Sequence, residues 1–152
     1  MIDARFSLAA RGMLLAGAAV FLAACAGSKP PPDGFAAWGK AKAGKSRALS
    51  PDGVMVSVHT VANKPRADLP FWKEALKTRM SQAGYRILGD SAVAGEPETY
   101  LLRLAAPLGQ KDYLYFVALS VQGKKIRITE AAGEAVRFRA HEDAILKALA
   151  GP

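Results

Sequence analysis

Cys25 is the one cysteine in a chain of 152 residues, so no internal disulfide can form and the fold must be held by its core. That cysteine closes an apolar run. Arg5 and Arg11 precede the uncharged stretch from Met13 to Phe21, and Ala23 and Ala24 lead into Cys25. A basic start, a short apolar stretch and a small-residue exit form the pattern of a secretory signal peptide. The run is too short to cross a bilayer, which takes about 20 apolar residues. Residues 1–24 are therefore expected to be a cleaved leader. Residues 25–152 suit one domain and are too short for two. Removing Arg5, Arg11 and Asp3 lowers the formal charge only from +8 to +7.

Leu22-Ala23-Ala24-Cys25 resembles the lipobox of bacterial lipoproteins. The resemblance implies that Cys25 is lipidated with a diacylglyceryl group and becomes the mature N-terminus. Each buried methylene adds about 0.8 kcal/mol, and two or more chains anchor stably, so the implied partner is the membrane itself. Ala26 is not the aspartate that retains many lipoproteins in the inner membrane. By resemblance to that rule, the expected location is the outer membrane, facing the periplasm. Residues 25–34 contain Pro30-Pro31-Pro32, which favours an extended, semi-rigid tether. Residues 35–152 are left as the folded domain.

Within that domain, Ser50-Pro51-Asp52-Gly53 has the chemistry of a type I turn between a short polar strand, Lys45 to Leu49, and an alternating one, Val54 to Val61. Pro70 suits a first helical turn, and Gly84 suits a helix stop. Between them Trp72, Ala75, Leu76, Arg79, Met80 and Ala83 recur at helical spacing, with Trp72 as the expected core anchor. Tyr85 to Leu88 reads as a short extended run. Thr99 to Ala106 and Tyr113 to Val121 are apolar on both faces, as in strands covered on both sides. A third strand, Lys124 to Glu130, follows the Gln122-Gly123 turn. One last helix is expected from Ala135 to Leu149, with Phe138, Ile145 and Leu149 in its apolar stripe.

The expected order is β-β-α-β-β-β-α, an α+β protein with helices packed on an antiparallel sheet. Phe71-Trp72, Ala83-Gly84-Tyr85, Tyr113-Leu114-Tyr115, and the passage through Gly133 to Phe138 resemble the Mog1/PsbP-like fold. They are also similar to small bacterial lipoproteins of that layout. The resemblance implies a non-catalytic subunit or binding partner of a larger assembly, and it transfers no functional residue.

Candidate chemistry is sparse. His59 shares a strand face with Ser57 and Met55, and two such residues make a catalytic pair only if they converge and a third group orients the base. His141 is expected at the wet edge of the last helix. Glu96 and Glu98, and Glu130 and Glu134, read as loop carboxylates, where solvation is the default. No phosphate-binding glycine loop is present. The reading is that the chain is not an enzyme and uses no metal and no cofactor.

The basic residues carry the stronger signal. Lys40, Lys42, Lys45 and Arg47 fall just after the tether and are candidate contacts to an anionic surface beside the anchor. No nucleic-acid motif accompanies them. The leading expectation is a lipid-anchored binding or accessory subunit in the cell envelope, partnered by an envelope protein. The alternative is a periplasmic carrier of a small apolar ligand or lipid, for which a closed cavity above about 300 Å³ would speak.

Overall fold

The computed structural model describes residues 30–40, 42, 44–93, 97–108 and 111–150. Cys25, the leader and the first half of the tether lie outside them. The Ser50–Gly53 turn forms as its chemistry requires: the Gly53 N–H donates to the Ser50 carbonyl, and the Ser50 hydroxyl accepts from the Val54 N–H. It joins β2 (Lys45–Leu49) to β3 (Met55–Ala62), and a two-residue β1 (Ala36–Ala37) borders β2. Helix α1 (Leu69–Gln82) follows, then β4 (Arg86–Val93), β5 (Thr99–Leu108), β6 (Lys111–Gln122), β7 (Lys125–Glu134), α2 (Ala135–Ala140) and α3 (Glu142–Leu149). All seven strands form one antiparallel sheet in the order β1-β2-β3-β7-β6-β5-β4. The expected α+β class is the class observed.

Alternation along each strand divides the core in two. On one face Val54, Val56, Leu101, Phe116 and Ala131 pack under Phe138, Ile145 and Leu149 of α2 and α3. The Phe116 and Phe138 rings meet edge-on with centroids 4.7 Å apart. On the other face Tyr100, Leu102, Leu104 and Val117 pack under Leu69, Leu76 and Met80 of α1. β5 and β6 are thus covered on both sides, which is why they read apolar on both faces.

Four expectations need correction. Trp72 is not a fully buried anchor; no side chain of α1 is buried. Trp72 sits partly exposed at the boundary, its indole N–H donating to the side-chain carbonyl oxygen of Asn63 at 2.8 Å. The run read as Tyr85 to Leu88 begins at Arg86 and belongs to a complete edge strand, β4, whose turn-like Gly89-Asp90-Ser91 and register shift at Leu88 disguise its pattern. β7 extends to Glu134, so Glu130 and Glu134 are strand residues and not loop carboxylates. The last helix breaks at His141, where the imidazole is held 3.0 Å from Asp52 in the β2–β3 turn. The tether is also more closely associated with the domain than its composition suggests. Pro30 to Asp33 line a groove on the domain, and the Phe35 N–H donates to the Pro32 carbonyl.

Candidate functional site

Helix α1 packs chiefly over β4, β5 and β6, with Ile128 of β7 at the border of the cluster beneath it. The same sheet face continues past α1 across β3 and β2. In register, Arg47 stands opposite Ser57, Ser57 opposite Glu130, and Glu130 opposite Val117; the adjacent row runs Lys45, His59, Ile128 and Leu119. Leu49, Met55 and Ala132 form the next row toward Tyr115. Tyr115 and Ile128 lie against the cluster beneath α1, and beyond them Met55, Ser57, His59 and Glu130 are each only partly exposed.

Glu130 is the hub of this face. Its Oε1 accepts from the Tyr115 hydroxyl, and its Oε2 accepts from the Ser57 hydroxyl at 3.2 Å. The same Oε2 lies 3.5 Å from His59 Nδ1. Burial and then the Glu130 carboxylate push the Tyr115 phenol well above its ordinary pKa. Ser57, His59 and Glu130 are the residue types of a hydrolytic triad, but the connectivity differs. A relay needs the hydroxyl on the imidazole and the imidazole on the acid, whereas here the Ser57 hydroxyl bonds the carboxylate directly and the imidazole lies beside that same oxygen.

A second serine–carboxylate–histidine group, with aspartate as the acid, repeats that logic on the opposite face. Asp52 Oδ1 accepts from the Ser50 hydroxyl and lies 3.0 Å from His141 Nε2, while Arg137 donates to the Asp52 carbonyl at 2.9 Å. His141 also meets the buried Phe35 ring edge-on, with centroids 5.3 Å apart. The Ser50 hydrogen bond, more than His141, holds the Asp52 carboxyl below its usual range. This cluster ties the helix break to the turn.

The four basic residues singled out from the sequence are all exposed. Lys42 and Lys45 exchange backbone hydrogen bonds at 3.1 and 2.8 Å, which brings them together at the head of β2. Lys45 and Arg47 then border the uncovered face, across from His59 and Ser57. Lys40 lies in the preceding connection, away from that register. None of the four forms an ion pair among the described residues. Sequence reasoning missed three structural hubs. Asp90 accepts from Tyr100 at 3.0 Å and pairs with Lys77 at 3.0 Å and Lys73 at 3.7 Å, fastening α1 to β4. Asn63 is the second, and its place just before Lys64-Pro65 after a strand is the turn signal that points to it. Glu130 is the third; extending the alternation of β7 through it would have set it beside Ser57 and His59.

Among the described residues no helix is long and apolar enough to cross a membrane, and no three His, Cys, Asp or Glu side chains are placed to hold a metal. The fold has solved relatives. It is similar to a Pseudomonas aeruginosa protein of unknown function, PA94, with a TM-score of 0.56 and 11% identity over 84% of this chain and 85% of that one. It also aligns with the cyanobacterial PsbP protein of Synechocystis sp. PCC 6803, CyanoP, with a TM-score of 0.46 and 12% identity over 75% of this chain and 78% of that one. At such identities the likeness to PA94 shows a shared fold and nothing of activity. Neither protein-family models nor curated proteins match the chain.

Proposed function

We propose that this protein is a lipid-anchored, non-catalytic binding subunit of the bacterial cell envelope, a lipoprotein of the Mog1/PsbP-like kind. Its domain would be held at the outer membrane, facing the periplasm, by a diacylglyceryl group on Cys25. The anchor rests on the sequence Leu22-Ala23-Ala24-Cys25 and the apolar run before it. The observation that carries the binding role is the uncovered half of the sheet. It presents Met55, Ser57 and His59 beside the Glu130 hub, with Ile128 and Tyr115 at its border with α1 and Lys45 and Arg47 at its outer border. A partly apolar face with fixed polar groups and a charged rim is the anatomy of a protein-docking surface. The basic border also suits an anionic membrane surface near the anchor.

Metabolic labelling with a radioactive fatty acid tests the anchor: wild type should label and Cys25→Ser should not, and label that survives the substitution overturns it. A photo-crosslinking side chain placed at Met55 tests the face. It should capture one envelope protein, whereas the same group at Thr78, on the outer side of α1, should capture none. Equal yields at the two positions would remove the docking assignment.

A further inference from the structure

On the α2/α3 side of the sheet a groove of about 390 Å³ runs between α3 and the β2–β3 hairpin. Its volume lies near the low end of the roughly 300–1,000 Å³ range of ligand pockets. Ala48, Val56 and Val58 form the floor, Ala144 and Ala148 of α3 one wall, and the Pro30–Pro32 segment the other. It is an open cleft, not a closed chamber.

Its charge is uneven. Arg127 and Lys147 border the groove against one carboxylate, Asp33, while Arg47 lines it at the β2 edge with its register setting the side chain toward the other face. Register places Arg127 opposite Thr60, one row beyond Val58. Helix α3 starts at His141, pinned to Asp52 in the β2–β3 turn, and runs away from that turn. Arg127 and Lys147, the latter in the last turn of α3, thus both line the groove beyond its end at the turn. Arg127 is half-buried, and neither cation forms an ion pair among the described residues. A half-buried guanidinium without a carboxylate bears part of its desolvation cost uncompensated, and a bound anion removes that cost.

We infer that this groove binds a single-chain anionic amphiphile, with one acyl chain on the Val56–Val58 floor and its carboxylate or phosphate head at Arg127 and Lys147. The apolar floor supplies affinity for the chain, and the two cations select the head and set its direction. Room for one chain favours a fatty acid or a lysophospholipid over a two-chain lipid. Occupancy does not depend on lipid at Cys25, so the Cys25→Ser protein should bind equally.

The test is photoaffinity labelling of the full chain in phosphatidylcholine vesicles with a diazirine-bearing palmitate. Label should map to the peptides around Val56–Val58 and Ala144–Ala148. Oleate and lysophosphatidylglycerol should compete, the stronger of the two identifying the head group, and neutral monoolein should not. The double variant Arg127→Gln/Lys147→Gln should lower labelling in the groove by roughly tenfold, as loss of a charge-assisted hydrogen bond implies, with an unchanged circular-dichroism melt. Ala148→Phe should block labelling by filling the groove. Label mapping elsewhere, monoolein competing as well as oleate, or full labelling of the double glutamine variant each overturn the proposal.

Discussion

Asn63 is 5% exposed, and its side chain makes four hydrogen bonds. Its amide nitrogen donates to the carbonyls of Ala67 at 2.8 Å and Gly123 at 3.0 Å. Its carbonyl oxygen accepts from the Ala67 N–H at 3.2 Å and the Trp72 indole N–H at 2.8 Å. One side chain thereby joins the end of β3, the loop before α1, the first turn of α1 and the β6–β7 hairpin. Asn63→Ala removes all four. At about 1 kcal/mol net per bond the loss sums to about 4 kcal/mol. Gly123 is exposed and its carbonyl can turn to water, so the expected cost is about 3 kcal/mol, a large share of the roughly 5–15 kcal/mol that holds a domain together. Urea melts of a Gly27–Pro152 fragment should show a lower midpoint at an unchanged slope. Trp72→Phe deletes a single donor and should cost about 1 kcal/mol. Asn63→Asp keeps both acceptor contacts but sets oxygen against two carbonyls, so it should be no better tolerated than alanine. A cost below about 1 kcal/mol for Asn63→Ala would refute the hub, since a single net hydrogen bond is worth that much.

The remaining expectations concern packing and titration. A Cβ on Gly133 would lie 2.9 Å from Val54 Cγ2, so Gly133→Ala should destabilise by about 1–3 kcal/mol in urea melts, and pairing it with Val54→Ala should show less than additive loss. Phe138, 0% exposed where α2 packs on the sheet, should cost about 3–5 kcal/mol as Phe138→Ala, well above the cost of Trp72→Phe in the same assay. The Asp90 carboxyl is held low first by Lys77 and then by Tyr100, and Asp52 by Ser50. A depressed folded-state pKa adds stability that is present above the ordinary aspartate value near 3.9 and lost as pH falls through the folded value; melting temperature should therefore drop below about pH 4, and Asp90→Asn should flatten that drop. Burial and the facing carboxylates raise the Tyr100 and Tyr115 phenols. A raised folded pKa contributes stability up to the ordinary tyrosine value near 10 that is lost above it, so the tyrosinate absorbance that Tyr100→Phe/Tyr115→Phe removes should appear together with unfolding in alkaline titration of the wild type; that same absorbance rising at the ordinary value in the folded protein would contradict the placement.

Local chemistry determined much of this molecule from sequence alone. The Ser50–Gly53 turn, the Pro70 start and Gly84 stop of α1, and the doubly apolar β5 and β6 depend on turn propensities, backbone freedom and alternation, which act over a few residues. The stripe Phe138, Ile145 and Leu149 was legible for the same reason, and all three are buried. What tertiary structure decided involves partners distant along the chain. β4 is a strand because β5 pairs with it, although Gly89, Asp90 and Ser91 give it a loop's composition. Trp72 sits at the boundary, where Asn63, nine residues earlier, offers its indole an acceptor. Glu130 became a hub only when β3 paired with β7, which set Ser57 across from it over 73 residues of sequence. The groove beside α3 likewise has no local signature. It exists because His141 breaks the last helix against Asp52, 89 residues away, and sets α3 beside the β2–β3 hairpin and the prolines that precede it. Periodicity can place a residue on a face of its own element, but which element covers that face is decided by pairings that no short window of sequence contains.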